Sequence, residues 1–197
     1  MNFVMKSAMF AVALGAVSFA AVAQNTAPSP VIDQRKDNQQ QRIGNGVENG
    51  SLTAGEASRL EKKETRINAE ENRMKSDGNF TAKERARIRN QQSHVSKQIY
   101  NQKHDAQAQN LDPKSEVGQR QRNQQERIGQ GIKSGSLTPA EAARMENQEK
   151  HVNREVARDR AANGGTLTPG ERAKVNHQQN KVSRHIYRQK HDAQVRR

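Results

Sequence analysis

The sequence contains no cysteine and no tryptophan, and only six of its 197 residues are phenylalanine or tyrosine. The lack of cysteine excludes disulfide bonds and thiolate metal sites, so folding has to rest on helix formation and packing. Three of the four phenylalanines precede residue 24, which leaves Phe80, Tyr100 and Tyr187 as the aromatic residues of the remaining chain. Such a composition lies near that of disordered proteins. We therefore expect helices that are marginally stable alone and that need a partner or self-association.

Residues 1–23 have the pattern of a cleavable secretory signal. Lys6 precedes an apolar run from Ala8 to Ala23, and that run ends in an Ala-x-Ala cleavage site. The run has 16 residues, fewer than the roughly 20 that a membrane-spanning helix needs. No cysteine follows it, so a lipoprotein signal is excluded. We expect bacterial export, a mature chain that begins near Gln24 in the periplasm or outside the cell, and no membrane span after the signal is removed.

The net charge is strongly positive, at +13 with histidine neutral. Lys6 is the only charged residue before residue 24, so the expected mature chain carries +12. A surplus of this size outside the cytoplasm favours polyanions through non-specific attraction.

Four stretches share the pattern Gly, any residue, an apolar residue, Thr, any two residues, Glu; we call them the Thr-Glu boxes. They span 50–56, 78–84, 135–141 and 165–171. The glycine accepts the left-handed conformation that closes a helix, and the Thr and Glu can form a capping box that opens the next one. The predicted caps are Thr53, Glu56, Thr81, Glu84, Thr138, Glu141, Thr168 and Glu171.

The chain repeats itself. Its first part matches at an offset of 85 residues, as in Ile43-Gly44 and Ile128-Gly129, whereas the stretches 99–107 and 186–194 match at an offset of 87. We predict an all-α fold made by tandem duplication of a three-helix unit, with a long antiparallel helical hairpin in each copy. The predicted organisation is a signal at 1–23, a disordered tether at 24–30, repeats at 31–107 and 116–194, a linker at 108–115 and a basic tail at 195–197.

The three helices of the first copy are expected at about 33–49, 54–75 and 82–107. Their apolar residues recur seven apart or three to four apart, as at Leu60 and Ile67, and form narrow seams typical of coiled coils. Polar and charged residues are expected to fill the remaining faces. Gly44 and Gly46 weaken the first helix, and either they allow another helix to approach closely or the helix frays there.

One box also carries a possible metal motif. Gly78, Phe80 and Glu84 match the turn glycine, the following apolar residue and the final bidentate glutamate of a calcium loop. Over about eight residues this stretch resembles the second half of an EF-hand, and the four boxes together resemble degenerate EF-hand-like helix–loop–helix loops in exported bacterial proteins. The first two ligand positions hold Arg73 and Lys75, which leaves two or three of the six or more oxygens that calcium needs. We expect metal-free turns.

No catalytic constellation is recognisable. No two of the six histidines are four residues apart, and no Gly-x-Ser-x-Gly elbow is present. His104 and His191 are each followed directly by an aspartate, which points to a different helix face. We predict that the protein is not an enzyme and has no cofactor and no metal.

The last helix carries the best functional indication, a basic stripe beside the seam of Val175, Val182 and Ile186. Such a stripe can follow a phosphate backbone or an anionic glycolipid surface, or it can simply keep the protein soluble. The candidate polyanion-binding residues are Lys174, His177, Lys181, Arg184, Arg188 and His191. The corresponding positions of the first copy are less basic, which argues against a repeated site.

Three functions follow from these features. The leading hypothesis is an exported, non-enzymatic structural or interaction protein that self-associates, or binds a partner helix, through the narrow seams. The alternative is a basic protein that binds lipopolysaccharide, anionic lipid or extracellular nucleic acid. The third is weak divalent-cation binding through the EF-hand-like loops.

Overall fold

The computed structural model describes residues 29–109 and 111–194, and in these two ranges it contains α-helices and no strand. The prediction of an all-α fold is confirmed. The six helices are α1 (Pro30–Glu48), α2 (Ala54–Lys75), α3 (Ala82–Lys103), α4 (Glu116–Ser134), α5 (Pro139–Ala162) and α6 (Pro169–Lys190). The predicted signal, the tether up to residue 28 and the basic tail lie outside the described residues.

The Thr-Glu boxes begin four of these helices. In the first box the Glu56 carboxylate accepts hydrogen bonds from the Thr53 N–H and hydroxyl at 2.9 and 2.8 Å, and the Glu56 N–H donates to Thr53 Oγ1. The other three boxes form the same reciprocal contacts. The box glycines all have positive φ, namely Gly50, Gly78, Gly135 and Gly165. These local interactions explain why the helices start where they do.

Two predicted boundaries are wrong. Pro30, which we assigned to the disordered tether, is the first residue of α1, because proline lacks only an N–H that the first turn does not use. The third helix was expected to reach residue 107, but α3 ends at Lys103. Just beyond it, the Asp105 side chain accepts a hydrogen bond from the Gln107 N–H at 2.9 Å, and such an Asx turn competes with helix continuation.

The helices form a bundle with four members at its centre. α1 packs along α4, α2 packs along α5, and the two pairs touch through α1–α2 and α4–α5. α3 covers α1 and α2 on one side, and α6 covers α4 and α5 on the other. The apolar seams therefore meet one another inside a single chain, where Leu60, Ile67 and Ile186 are buried in one continuous cluster.

The interior also contains many polar side chains, so some of the polar residues that fill the remaining faces lie inside the bundle. Hydrogen bonds compensate for the burial of many of them. Gln39 and Gln92, for example, donate to backbone carbonyls of neighbouring helices at 2.7 and 2.9 Å. The fully or almost fully buried polar residues at the helix interfaces include Gln39, Gln40, Glu61, Glu64, Gln92, Gln124, Gln125, Glu146, Glu149 and Gln179.

Candidate functional site

The basic stripe of α6 faces solvent along its whole length. The Thr168 capping box starts the helix, and the seam of Val175, Val182 and Ile186 is buried against α4 and α5. Spacings of three and four residues keep the basic side chains on one side of the helix. All six candidate residues are exposed, namely Lys174, His177, Lys181, Arg184, Arg188 and His191.

Only one end of the stripe is neutralised by an acid. Lys174 Nζ lies 2.7 Å from Glu155 Oε1. Hydrogen bonds from Lys174 and from Gln178 hold the pKa of Glu155 below its usual value, so this carboxylate stays ionised. Among the described residues, no carboxylate lies within 4.0 Å of the charged groups of Lys181, Arg184 or Arg188. The middle of α6 therefore presents uncompensated positive charge.

The corresponding face of α3 is less basic. Arg87 Nε makes a 2.8 Å ion pair with Glu70, and Lys97 is the other cation of that row. The remaining positions are the exposed Asn90, His94, Asn101 and His104. The two faces thus differ in charge although their helices occupy similar places in the bundle.

Each of these helices ends in an exposed tyrosine stacked on a histidine. The ring centroids of Tyr100 and His104 are 4.3 Å apart, and those of Tyr187 and His191 are 4.2 Å apart. Each histidine Nδ1 also lies 2.7 Å from the carbonyl oxygen of its tyrosine. The tyrosine-to-histidine spacing of four residues is visible in the sequence, but we did not anticipate the stacking.

The packed helices α2 and α5 contribute four glutamates that are all 0% exposed, namely Glu61, Glu64, Glu146 and Glu149, and we call them the carboxyl layer. Gln125 donates to Glu146 at 3.1 Å, whereas neither carboxyl oxygen of Glu149 has a hydrogen-bond partner. Burial raises the pKa of Glu149 to about 8. Burial, together with the nearby Glu149, also raises the pKa of Glu146 well above its usual value, although Gln125 opposes that shift. At neutral pH Glu149 is therefore largely protonated.

We did not predict this layer, although the spacing of the glutamates in the sequence indicates it. Ala57, Leu60, Glu64, Ile67 and Glu71 follow the alternating three- and four-residue spacing of one seam. A glutamate in phase with leucine and isoleucine is a candidate for burial. We assigned only the apolar members to the seam because charged side chains are rarely buried.

The candidate metal loops serve as helix caps. Glu84, the residue that matches the last EF-hand ligand, accepts hydrogen bonds from the Thr81 N–H and hydroxyl at 2.8 and 2.7 Å. Across 29–109 and 111–194, no group of three or more His, Asp or Glu side chains is placed to hold a metal ion.

Comparison of the chain with known protein families, curated proteins and solved structures finds no match. None of the helices within the described ranges combines the length and apolar character required to cross a membrane.

Proposed function

We propose that this is an exported, non-enzymatic protein that binds polyanions through α6. The observation that carries the proposal is the row of Lys181, Arg184 and Arg188, which is exposed and has no carboxylate within 4.0 Å among the described residues. The net charge, +12 for the expected mature chain, adds long-range attraction for phosphate-rich polymers and anionic membrane surfaces. Export is inferred from the signal-like residues 1–23.

Binding through the apolar seams, the leading hypothesis from the sequence, has less support. The seam residues of α2, α3, α5 and α6 are buried against one another within one chain. The exposed large apolar side chains of the described residues are Val31, Tyr100 and Tyr187, and these are scattered. Self-association or binding of a partner helix through the seams would therefore require the bundle to open.

We also propose that the bundle arose by tandem duplication of a three-helix unit. Equivalent contacts at the offsets of the sequence repeat support this. Gln40 donates to Glu61 as Gln125 donates to Glu146, at 3.0 and 3.1 Å. Each unit would contain one antiparallel hairpin, α2–α3 or α5–α6. The charge difference between α3 and α6 would then mean that only the second copy acquired the binding face.

The proposal is tested by the binding of a duplex DNA of about 20 base pairs and of a long polyphosphate, each across a series of salt concentrations. The Lys181→Gln/Arg184→Gln variant should bind more weakly, and the slope of log K against log salt should fall by about 2 because two phosphate contacts are lost. A matched control, Arg89→Gln/Lys97→Gln, removes the same charge from exposed positions of α3. Equal losses in both variants, or salt-insensitive binding, would contradict the proposal.

A further inference from the structure

Two neighbouring cavities lie on either side of a shared wall of α5, and we call the two together the groove. The larger has a volume of about 470 Å³ and lies between α2 and α5. The smaller has a volume of about 320 Å³ and lies between α5 and α6. Arg144 and Gln148 line both cavities, so α5 forms a wall that the two spaces share.

Cations line this groove, and no carboxylate does. Lys62 and Arg66 come from α2, Arg144 from α5 and Arg188 from α6. None of these four side chains has a carboxylate within 4.0 Å among the described residues. Elsewhere in the bundle some cations between helices are paired with a carboxylate, as in Lys133 with Glu48 at 2.6 Å. The positive charges of the groove are therefore available to a ligand.

The packing of the helices maintains the concave shape. The buried Ser58 hydroxyl donates to the Ala143 carbonyl at 2.9 Å and holds α2 against α5. Ala140 and Ala143 line the larger cavity and have too little volume to fill it. His185 Nδ1 lies 3.1 Å from Gln148 Oε1 and connects α6 to the shared wall. Arg144 is oriented by its own Nε, which donates to the Ala140 carbonyl at 3.2 Å.

We propose that this groove binds a compact ligand that carries two or more phosphate groups. The inference rests on the proposed polyanion-binding function and names a second site and its ligand class. Both cavities fall in the size range of small-molecule sites. Guanidinium groups donate paired hydrogen bonds to phosphate oxygens, and cations from three helices suit a ligand that is charged on several sides.

The lining argues against other ligand classes. The groove contains no phenylalanine or tyrosine, so it offers no stacking surface for a nucleobase. Its main apolar side chains are Ala140, Ala143 and Met145, too few to bury an acyl chain. Thr65, Asn147 and Gln148 add polar groups that suit hydroxyls of a sugar or further phosphate oxygens. The phosphates could come from a phosphorylated lipid head group or from a free or terminal polyphosphate.

The test is titration calorimetry of the purified protein with tripolyphosphate. The comparison is a titration with sulfate at the same ionic strength. Lys62→Gln/Arg66→Gln/Arg144→Gln should weaken tripolyphosphate binding at least tenfold, whereas Lys181→Gln/Arg184→Gln should change it less than threefold. For the binding of long polyphosphate, Lys181→Gln/Arg184→Gln should instead have the larger effect of the two variants. The single variant Arg144→Lys keeps the positive charge. Its affinity for tripolyphosphate should lie between those of the original protein and the triple variant, because lysine lacks the planar guanidinium group. Circular dichroism of each variant checks that it is still helical.

Vesicles that contain a diphosphorylated glycolipid, compared with vesicles of a monoanionic lipid, separate the two sources of phosphate. If tripolyphosphate displaces the protein from the diphosphorylated vesicles but not from the monoanionic vesicles, the groove binds a lipid head group. No competition with either vesicle, together with tight tripolyphosphate binding, would assign it to free or terminal polyphosphate.

Tripolyphosphate that binds no more tightly than sulfate, or that binds equally to the groove variant, would overturn the groove site while the polymer result still supports α6. If instead the α6 variant binds the polymer as tightly as the original protein, while the groove variant loses tripolyphosphate binding, the proposed function of α6 is wrong and the groove site is supported.

Discussion

Gly44 of α1 and Gly129 of α4 lie backbone against backbone where the two helices cross. A Cβ atom built on Gly44 would lie 2.9 Å from the Gly129 carbonyl oxygen, and one built on Gly129 would lie 2.8 Å from the Gly44 carbonyl oxygen. The nearby Lys133–Glu48 ion pair, at 2.6 Å, closes over the crossing. Of the two interpretations of Gly44 that the sequence allowed, close approach of another helix is therefore the one that the structure supports.

This crossing predicts an unusual response to alanine. In an ordinary helix, Gly→Ala raises stability by up to about 1 kcal/mol. We expect Gly44→Ala and Gly129→Ala instead to lower the free energy of unfolding by about 1–3 kcal/mol, because a methyl group at either site overpacks a backbone that cannot move aside. Urea denaturation measures the change. The control is Gly170→Ala in the first turn of α6, where no atom lies within 4 Å of the added Cβ. Equal effects at all three positions would contradict the crossing.

The buried carboxyl layer predicts that stability falls as the pH rises. The pKa of Glu149 is raised to about 8 in the folded chain, whereas an unfolded glutamate titrates near 4.5. Folding therefore takes up a proton between these values, and the free energy of unfolding decreases by about 1.4 kcal/mol per pH unit for this group. The decrease begins above pH 4.5 and ends once the pH passes about 8. Glu146, whose pKa is also raised, adds to the slope.

Glu149→Gln should reduce this pH dependence, because an amide of similar shape does not titrate. In thermal melts from pH 5 to 9, the melting temperature of the variant should rise relative to that of the original protein as the pH increases. Glu126→Gln, at an exposed position of α4, is the matched control and should leave the slope unchanged. A parallel shift of both curves at every pH would mean that Glu149 is not buried in its neutral form.

Gln179 predicts how strongly α6 depends on a buried amide. Its side chain is 0% exposed and donates to the Val117 carbonyl at 3.0 Å, while the backbone carbonyl of Gln179 accepts from the Gln124 side chain at 2.7 Å. Gln179→Ala should cost about 1–3 kcal/mol, because it removes a buried hydrogen bond and leaves a cavity. Chemical denaturation measures the loss. Asn180→Ala, at the exposed neighbouring position, should change stability by less than about 0.5 kcal/mol.

The last capping box predicts a local pKa. The Glu171 carboxylate accepts hydrogen bonds from the Thr168 N–H and hydroxyl, both at 2.8 Å. The backbone bond from Thr168, followed by the hydroxyl bond, lowers the pKa of Glu171, and Asn163 contributes further. Stability from this cap is thus present above the usual glutamate pKa and is lost as the pH falls through the lowered value. Thr168→Ala should raise the pKa of Glu171 in an NMR titration, whereas Thr166→Ala should not.

Sequence reasoning succeeded where the interaction is local. The helix range expected at 54–75 agrees with α2, because the Thr53–Glu56 cap and the glycine after the helix lie within a few residues of its ends. It failed at Pro30 and at residue 107, where a proline at the first helical position and an Asx turn set the boundaries. It also left the buried glutamates out of the predicted seams, because their burial depends on partners about 20 residues away, such as Gln125 for Glu146.

Local chemistry in the chain was enough to establish the helical class, the capped starts and the basic row of α6, because each arises from residues within one or two helical turns. Which seams meet, which glycines touch and which glutamates lose contact with water depended on long-range packing. α2 could have used its apolar seam to bind another molecule, but it lies against α5 of the same chain. That pairing buries the carboxyl layer, leaves the cations of α6 in solvent and creates the groove beside Arg144.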